Sequence, residues 1–298
     1  MTKRPTLSIA APFRVLPSYE RVLQALGRFE HLTAEQTRRL MFGAGSLTYV
    51  QARYKQLADA GYVLAVPLGR PTPHGSGPLV YSLDRRGRAY LNALGVDAPA
   101  RLRQSEERSR SSPHLRHSLA VVDVLILCDL LCRQDPRVSI SRMVGERELK
   151  ARPVVVTLPG GATRGVALDA WLDLRLRCAE IVEQRCLGFE VDGGTEWQVA
   201  WRRKVAALVA FERGAYGEAF GVESLTIVVV APDEARRRQL CSWTEHELAE
   251  QGALPNADLW RFGSMPRDLA DAVAFFRSPR WATPRQNGLA PLIEDNEL

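Results

Sequence analysis

The chain has 298 residues, of which 46% are hydrophobic and 25% charged, and its formal net charge is +6. That length suggests two domains and the composition is that of ordinary globular protein, with ample material for a core. The most apolar helical run, "LAVVDVLILCDLL", is too short to span a bilayer and carries Asp123 and Asp129. The basic N-terminus lacks the long apolar stretch of a signal peptide, and five cysteines with no CxxC pair fit reduced thiols; a cytoplasmic protein without a membrane partner is expected.

Residues 1–16 read as a flexible arm. From residue 17 to 98 the pattern is compact. Tyr19, Val22, Leu23 and Leu26 recur at helical spacing, which predicts an amphipathic first helix. Thr33 followed by Gln36 is a capping box that opens a second helix through Met41. Ser46 is a candidate N-cap for a third helix, which buries Leu47, Val50, Tyr54 and Leu57 and stops at Gly61. "YVLAV" and "LVYSL" predict two short strands around a Gly/Pro loop, and "DRRGRAYLNALG" a closing helix. Helix, helix, turn, helix and a two-stranded ribbon is the order of a winged helix-turn-helix, whose third helix would enter the major groove. Its outward face carries Thr48, Tyr49, Arg53, Lys55 and Gln56, and the wing loop adds Arg70 and His74. These side-chain types suit phosphate and base-edge contacts.

Charge supports that reading. Residues 1–118 hold 18 Lys and Arg against 8 Asp and Glu, a net +10, whereas the remainder hold 22 against 26. A basic first part suggests a polyanion-binding module, and double-stranded DNA is the expected partner; a protein-interaction winged helix is the alternative. The polar, Arg- and Ser-rich residues 99–116 read as a linker, in which Arg110 and Arg116 could touch a DNA backbone.

The second domain, 117–278, begins with an apolar helix over 117–133, and "VSISRMVGERELKA" mixes strand-like and helix-like features. "GVALDAWLDLRL" alternates as a strand, with Leu168, Ala170, Leu172 and Leu174 on one face and Asp169, Trp171 and Asp173 on the other. "EIVEQRCLGFEVD" is the next strand, followed by a helix over 196–211, the strand "SLTIVVVA", a helix over 233–250, the strand "DLWRF" and a last helix over 267–277; residues 279–298 read as a tail. Strands alternating with helices predict an α/β domain with a mixed sheet, α+β overall with the first domain.

Asp169 lies on one strand, and Glu190 and Asp192 share a face of the next. Three convergent carboxylates are what a hard divalent cation, Mg²⁺ or Mn²⁺, requires. Trp197, Trp201, Lys204 and Leu208 recur on one helical stripe, so Lys204 faces inward and needs an anion. Such a set can cut phosphodiester bonds, the metal activating water and the lysine holding the water or the phosphate. A strand-end turn with a single Lys204–Glu190 ion pair is the bland alternative.

The chain resembles the replication-relaxation family of plasmids and conjugative elements over about residues 18–275. The resemblance rests on "LTAEQTRRLMF" with the helix after it, on "HSLAVVDVLI", and on "LDAWLDL" followed by "FEVDGGTE". It implies roles in plasmid DNA relaxation, mobilisation or replication, and a second domain similar to the PD-(D/E)XK nuclease fold, in which an Asp and a Glu hold the metal and a Lys follows the Glu by two positions. Here Leu168 replaces the Pro and Asp192 stands at the Lys position. The resemblance thus carries over Asp169 and Glu190 as ligands, Asp192 as a third, Lys204 as a relocated lysine, and Glu146 or Glu148 as a further acid. It also admits a homodimer and other mobilisation or replication proteins as partners. Two functions follow as expectations: a metal-dependent DNA endonuclease, or a non-catalytic DNA-binding accessory factor whose nuclease-like domain dimerises or recruits a partner.

Overall fold

The computed structural model describes residues 13–42, 46–69, 77–96, 112–178, 180–286 and 288–294. The expected arm up to residue 12, Arg70, His74 and Arg110 therefore lie outside the described residues. The chain forms two compact units, Met1–Arg110 and Ser111–Leu298.

In the first unit, α1 (Pro17–Phe29) opens on a proline, whose missing N–H costs nothing at a helix start. Its buried stripe contains Tyr19, Val22, Leu23 and Leu26, the positions that the spacing predicts. α2 (Ala34–Met41) has the expected capping box: Gln36 N donates to Thr33 Oγ1 at 3.1 Å, and Thr33 N donates to Gln36 Oε1 at 3.0 Å. α3 (Leu47–Asp59) buries Val50, Tyr54 and Leu57, while Leu47 is half-buried. Ser46 stands before α3, but its hydroxyl makes no cap bond, because its ψ of 4° is not the extended backbone a side-chain cap needs. Tyr54 locks the unit together; its hydroxyl lies 2.6 Å from that of Thr37 and its ring stacks on Tyr81 at 3.7 Å. Gly61, at φ 75°, ends α3 as expected. The strands β1 (Leu32–Thr33), β2 (Val63–Pro67) and β3 (Leu79–Leu83) pair antiparallel in the order β1-β3-β2. α4 (Arg85–Ala93), capped by Asp84, closes the unit.

The second unit begins earlier than its composition suggests. α5 (Ser112–Gln134) includes residues 112–116, which read as linker, and Leu115 within it is buried. The ambiguous stretch resolves into β4 (Val138–Gly145) and the short α6 (Glu146–Ala151). A hairpin of β5 (Val154–Thr157) and β6 (Thr163–Val166), which the pattern did not suggest, precedes β7 (Ala170–Cys178) and β8 (Ile181–Val191). Then come α7 (Gln198–Ala210), a π-helical turn, α8 (Tyr216–Phe220), β9 (Thr226–Ala231), α9 (Glu234–Glu250), β10 (Trp260–Ser264) and α10 (Ala272–Arg277). Within the stretch expected as a tail, β11 (Trp281–Ala282) and β12 (Leu289–Ala290) extend the sheet, and Trp281 is fully buried, its indole N–H donating to Phe275 O at 2.9 Å.

The seven strands lie in the order β12-β11-β10-β9-β8-β7-β4. β4, β7 and β8 are mutually antiparallel, whereas β8, β9 and β10 run parallel, as a mixed sheet requires. Residues 170–174 and 186–191 are buried throughout, so both faces of the central strands are covered. Trp171 and Cys186 on one face pack in a core with Trp201, Val205 and Leu208 of α7. Gly188 makes that fit: a Cβ there would stand 2.8 Å from Leu168 Cδ1. Among the described residues no helix is long and apolar enough to cross a membrane.

Candidate functional site

The β7–β8 register creates the site. The pairs from Ala170↔Phe189 to Cys178↔Ile181 fix the hairpin, and one step past Ala170 the same register sets Asp169 opposite Glu190. Asp169 N donates to Phe189 O at 2.9 Å, which continues the ladder to that step. The two carboxylates therefore share a face at the strand ends, and both are buried, at 5% and 2% exposure. Asp169 Oδ2 accepts from Val191 N at 2.9 Å.

Lys204 reaches this pair from α7, as its stripe predicts. Its Nζ lies 2.9 Å from Glu190 Oε2 and 3.2 Å from Glu196 Oε1. Trp201 and Leu208 on the same stripe are buried, but Trp197 is 83% exposed, because it stands at the N-cap before the helix begins to face the sheet. Burial pushes the Glu190 carboxyl up to about 7, the Lys204 ammonium opposing this and the Asp169 charge adding to it. Burial lowers the affinity of Lys204 for its proton, but the charges of Glu190, Asp169 and Glu196 outweigh this and hold it well above the ordinary lysine value.

Asp192 does not join the pair. Arg236 of α9 clamps it with two bonds, Nε to Oδ2 at 2.8 Å and Nη2 to Oδ1 at 3.1 Å, and Gly194 N donates to Oδ2 at 2.9 Å. Its expected place as a third ligand thus meets a physical obstacle, since a bidentate arginine already takes both oxygens. Glu148, the other acid considered beside Glu146, makes no contact with this cluster among the described bonds.

Two groups join that sequence reasoning did not select, together with Glu146. His117 Nε2, from the second turn of α5, lies 3.0 Å from Asp169 Oδ1 and 3.7 Å from Glu146 Oε1. Lys150 Nζ lies 2.5 Å from Glu146 Oε1 and 3.6 Å from Asp169 Oδ1. Ser118 Oγ donates to Glu146 Oε2 at 2.8 Å. The hydrogen bond to Asp169 raises the His117 pKa, burial opposing it. At Asp169 burial acts upward, but the His117 bond and the His117 and Lys204 charges leave the carboxyl below its ordinary value. One available signal was the scarcity of lysine: two of only four in the chain, Lys150 and Lys204, meet here.

A cavity of about 470 Å³ is bounded by Arg116, His117, Lys150, Asp169, Glu190 and Lys204 among others. The donor set fits a divalent cation. It offers the buried carboxylates of Asp169 and Glu190 in one cavity wall, and in the same wall Glu196 Oε2 is a buried anionic oxygen with no hydrogen-bond donor among the described residues.

In the first unit, Thr48, Tyr49, Lys55 and Gln56 stand on the exposed side of α3. Arg53 is more constrained: its Nη1 donates to Tyr19 Oη at 2.7 Å, and its guanidinium lies over the rings of Tyr49 and Tyr19 at 4.6 and 4.8 Å. Lys55 pairs with Asp59 at 2.7 Å in a largely exposed contact, which is weak and can be exchanged for a phosphate.

No curated protein and no solved structure matches the chain. The sequence profile described as replication-relaxation matches residues 23–222, a span that runs from the buried stripe of α1 through Asp169, Glu190 and Lys204 to the end of α8. With two thirds of its length matched, including every residue of the buried carboxylate–lysine cluster, this chain belongs to the replication-relaxation family.

Proposed function

We propose that the protein binds double-stranded DNA through its first unit and breaks a phosphodiester bond in the second, within plasmid or mobile-element replication, relaxation or mobilisation. The observation that carries this reading is the buried Asp169–Glu190 pair with Lys204 at 2.9 Å in an open cavity. A structural ion pair needs one carboxylate per cation and no cavity, whereas phosphoryl chemistry needs both.

The helix order of the first unit and the polar, exposed face of α3 support a winged helix-turn-helix whose α3 reads the major groove. The mixed sheet, with carboxylates on two adjoining central strands and a lysine on the covering helix, supports a PD-(D/E)XK-like nuclease unit. Asp169 and Glu190 would hold Mg²⁺ or Mn²⁺. The ion would supply an activated water and neutralise the phosphate. Asp169 is presented ionised, because His117 and Val191 N hold its oxygens in place. Lys204, held protonated by the charges of Glu190, Asp169 and Glu196, would be the group that binds a phosphate oxygen.

The test is nicking of supercoiled plasmid DNA by the full chain with Mg²⁺ or Mn²⁺. Metal-dependent nicking that Asp169→Ala removes, with DNA retention in a gel shift unchanged, supports the proposal. DNA retention without nicking under any metal overturns the catalytic half and leaves the accessory-factor reading, which the bidentate Arg236–Asp192 clamp at the usual lysine position favours.

A further inference from the structure

We infer that His117 is a nitrogen ligand of the ion at this site, and that the site is therefore built for a first-row transition ion such as Mn²⁺ in preference to Mg²⁺. The inference rests on the metal reading above and extends it to residues outside the Asp169–Glu190 pair.

The geometry is that of a donor set. One ligand atom each from His117, Glu146 and Asp169 lies within 4.8 Å of the other two. Donors that share one ion at about 2.1 Å stand roughly 3–4 Å apart, so the three need only small rotations to converge. They come from three separate places in the chain: the second turn of α5, the first residue of α6 and the residue just before β7. Each carboxylate is already oriented by a bond on the oxygen that faces away from the imidazole. Asp169 Oδ2 accepts from Val191 N, and Glu146 Oε2 accepts from Ser118 Oγ. Such supporting bonds are the usual means of aiming ligands at an ion.

A cation already stands at this point. Lys150 Nζ contacts both Glu146 and Asp169 on the same oxygens, Oε1 and Oδ1, that face His117. Its side chain is 46% exposed, so it can swing into solvent when an ion takes its place. The imidazole is what sets the preference. Mg²⁺ takes oxygen donors in near-ideal octahedra and gives up its waters reluctantly, whereas imidazole nitrogen suits transition ions.

The experiment titrates Mn²⁺, with Mg²⁺ as competitor, into the full chain and reads free Mn²⁺ by electron paramagnetic resonance. Wild type should hold Mn²⁺ at least tenfold more tightly than Mg²⁺. His117→Ala should lose tenfold or more in Mn²⁺ affinity and little for Mg²⁺, which removes the preference. Pulsed resonance on wild type with Mn²⁺ bound should show a ¹⁴N coupling from the imidazole, a readout that needs no variant to fold. Mn²⁺ binding that Asp169→Asn abolishes but His117→Ala leaves intact, with no ¹⁴N coupling, overturns this inference and keeps the metal reading. Failure of wild type to bind Mn²⁺ at all overturns both.

Discussion

The two units hold their charges in opposite ways. On α3, Thr48, Tyr49, Lys55 and Gln56 stand on the exposed side: Lys55 has 77% of its side chain exposed and pairs with Asp59, itself 65% exposed. In the 111–298 unit the charges are buried among strands, with Glu190 at 2% and Asp169 at 5% exposure, and every one of them touches a partner of opposite sign. Exposed charges cost little to keep and little to lose, so a surface built from them acts by summation. Buried ones are interdependent, because removal of one leaves another without compensation in a medium that screens poorly. The first arrangement suits reversible contact with a long polyanion, and the second suits one demanding reaction at one point.

This contrast can be broken in several places. The largest expected effect is at Asp169. Asp169→Ala should lower metal-dependent plasmid nicking on the order of a thousandfold while DNA affinity of the full chain stays within about twofold. An equal loss in both assays would mean that the buried site serves DNA retention rather than chemistry.

Next comes the Arg236–Asp192 clamp. Arg236→Leu strands a carboxylate whose side chain is only 1% exposed, and should destabilise the 111–298 unit by about 3–5 kcal/mol in chemical denaturation. The double variant Arg236→Leu with Asp192→Leu should recover much of that loss. No recovery would show that Arg236 acts through its bond to Glu196 O instead.

On the exposed side, Lys55→Ala and Gln56→Ala should each weaken DNA binding by roughly three- to thirtyfold, and Lys55→Ala should also reduce the salt slope of binding by about one. An unchanged slope would exclude Lys55 from phosphate contact. Loss of the whole affinity through one such change would contradict summation.

The smallest effect is on pH dependence. Glu190 binds its proton more tightly in the folded chain, between the ordinary 4.5 and about 7, and His117 is raised above its ordinary 6.5. Both contributions to stability are full below the unfolded values and are lost as pH rises through the folded ones. The metal-free 111–298 unit should therefore lose stability as pH rises from about 5 through about 7, with the His117 contribution lost above its ordinary 6.5, and His117→Gln should flatten the upper part of that slope. A slope of the opposite sign in thermal unfolding would show that the Lys204 and Lys150 charges dominate these two groups.

Much of this was legible in the sequence where the cause is local. The capping box of Thr33 and Gln36, the stop at Gly61 and the alternation of "LDAWLDL" depend on neighbours a few residues apart, and the structure has each of them. The inward turn of Lys204 was also readable, since it follows from a helical stripe. What escaped depends on distant partners or on composition that misleads. Arg236 lies 44 residues from Asp192, and no spacing within "FEVDGG" announces it. His117 stands directly after residues 99–116, whose polarity reads as linker although Leu115 among them is buried, so nothing marked it as part of a site. The strands at 281–282 and 289–290 are two residues each, too short for any periodicity to show. The Ser46 cap failed for a related reason: the residue type is right, but the backbone it inherits is not.

The pairing of β7 with β8 has one more consequence, for the lengths these strands can tolerate. Side chains alternate along a strand, so one residue inserted or deleted within 170–178 or 181–189 and absorbed by the ladder would send Asp169 and Glu190 to opposite faces. Only the two-residue link between Cys178 and Ile181 can change length without moving that parity. Among relatives of this chain, gaps should accumulate at 179–180 and be absent from the hairpin arms, and a tag inserted at the link should spare the site that the same tag ten residues earlier would destroy.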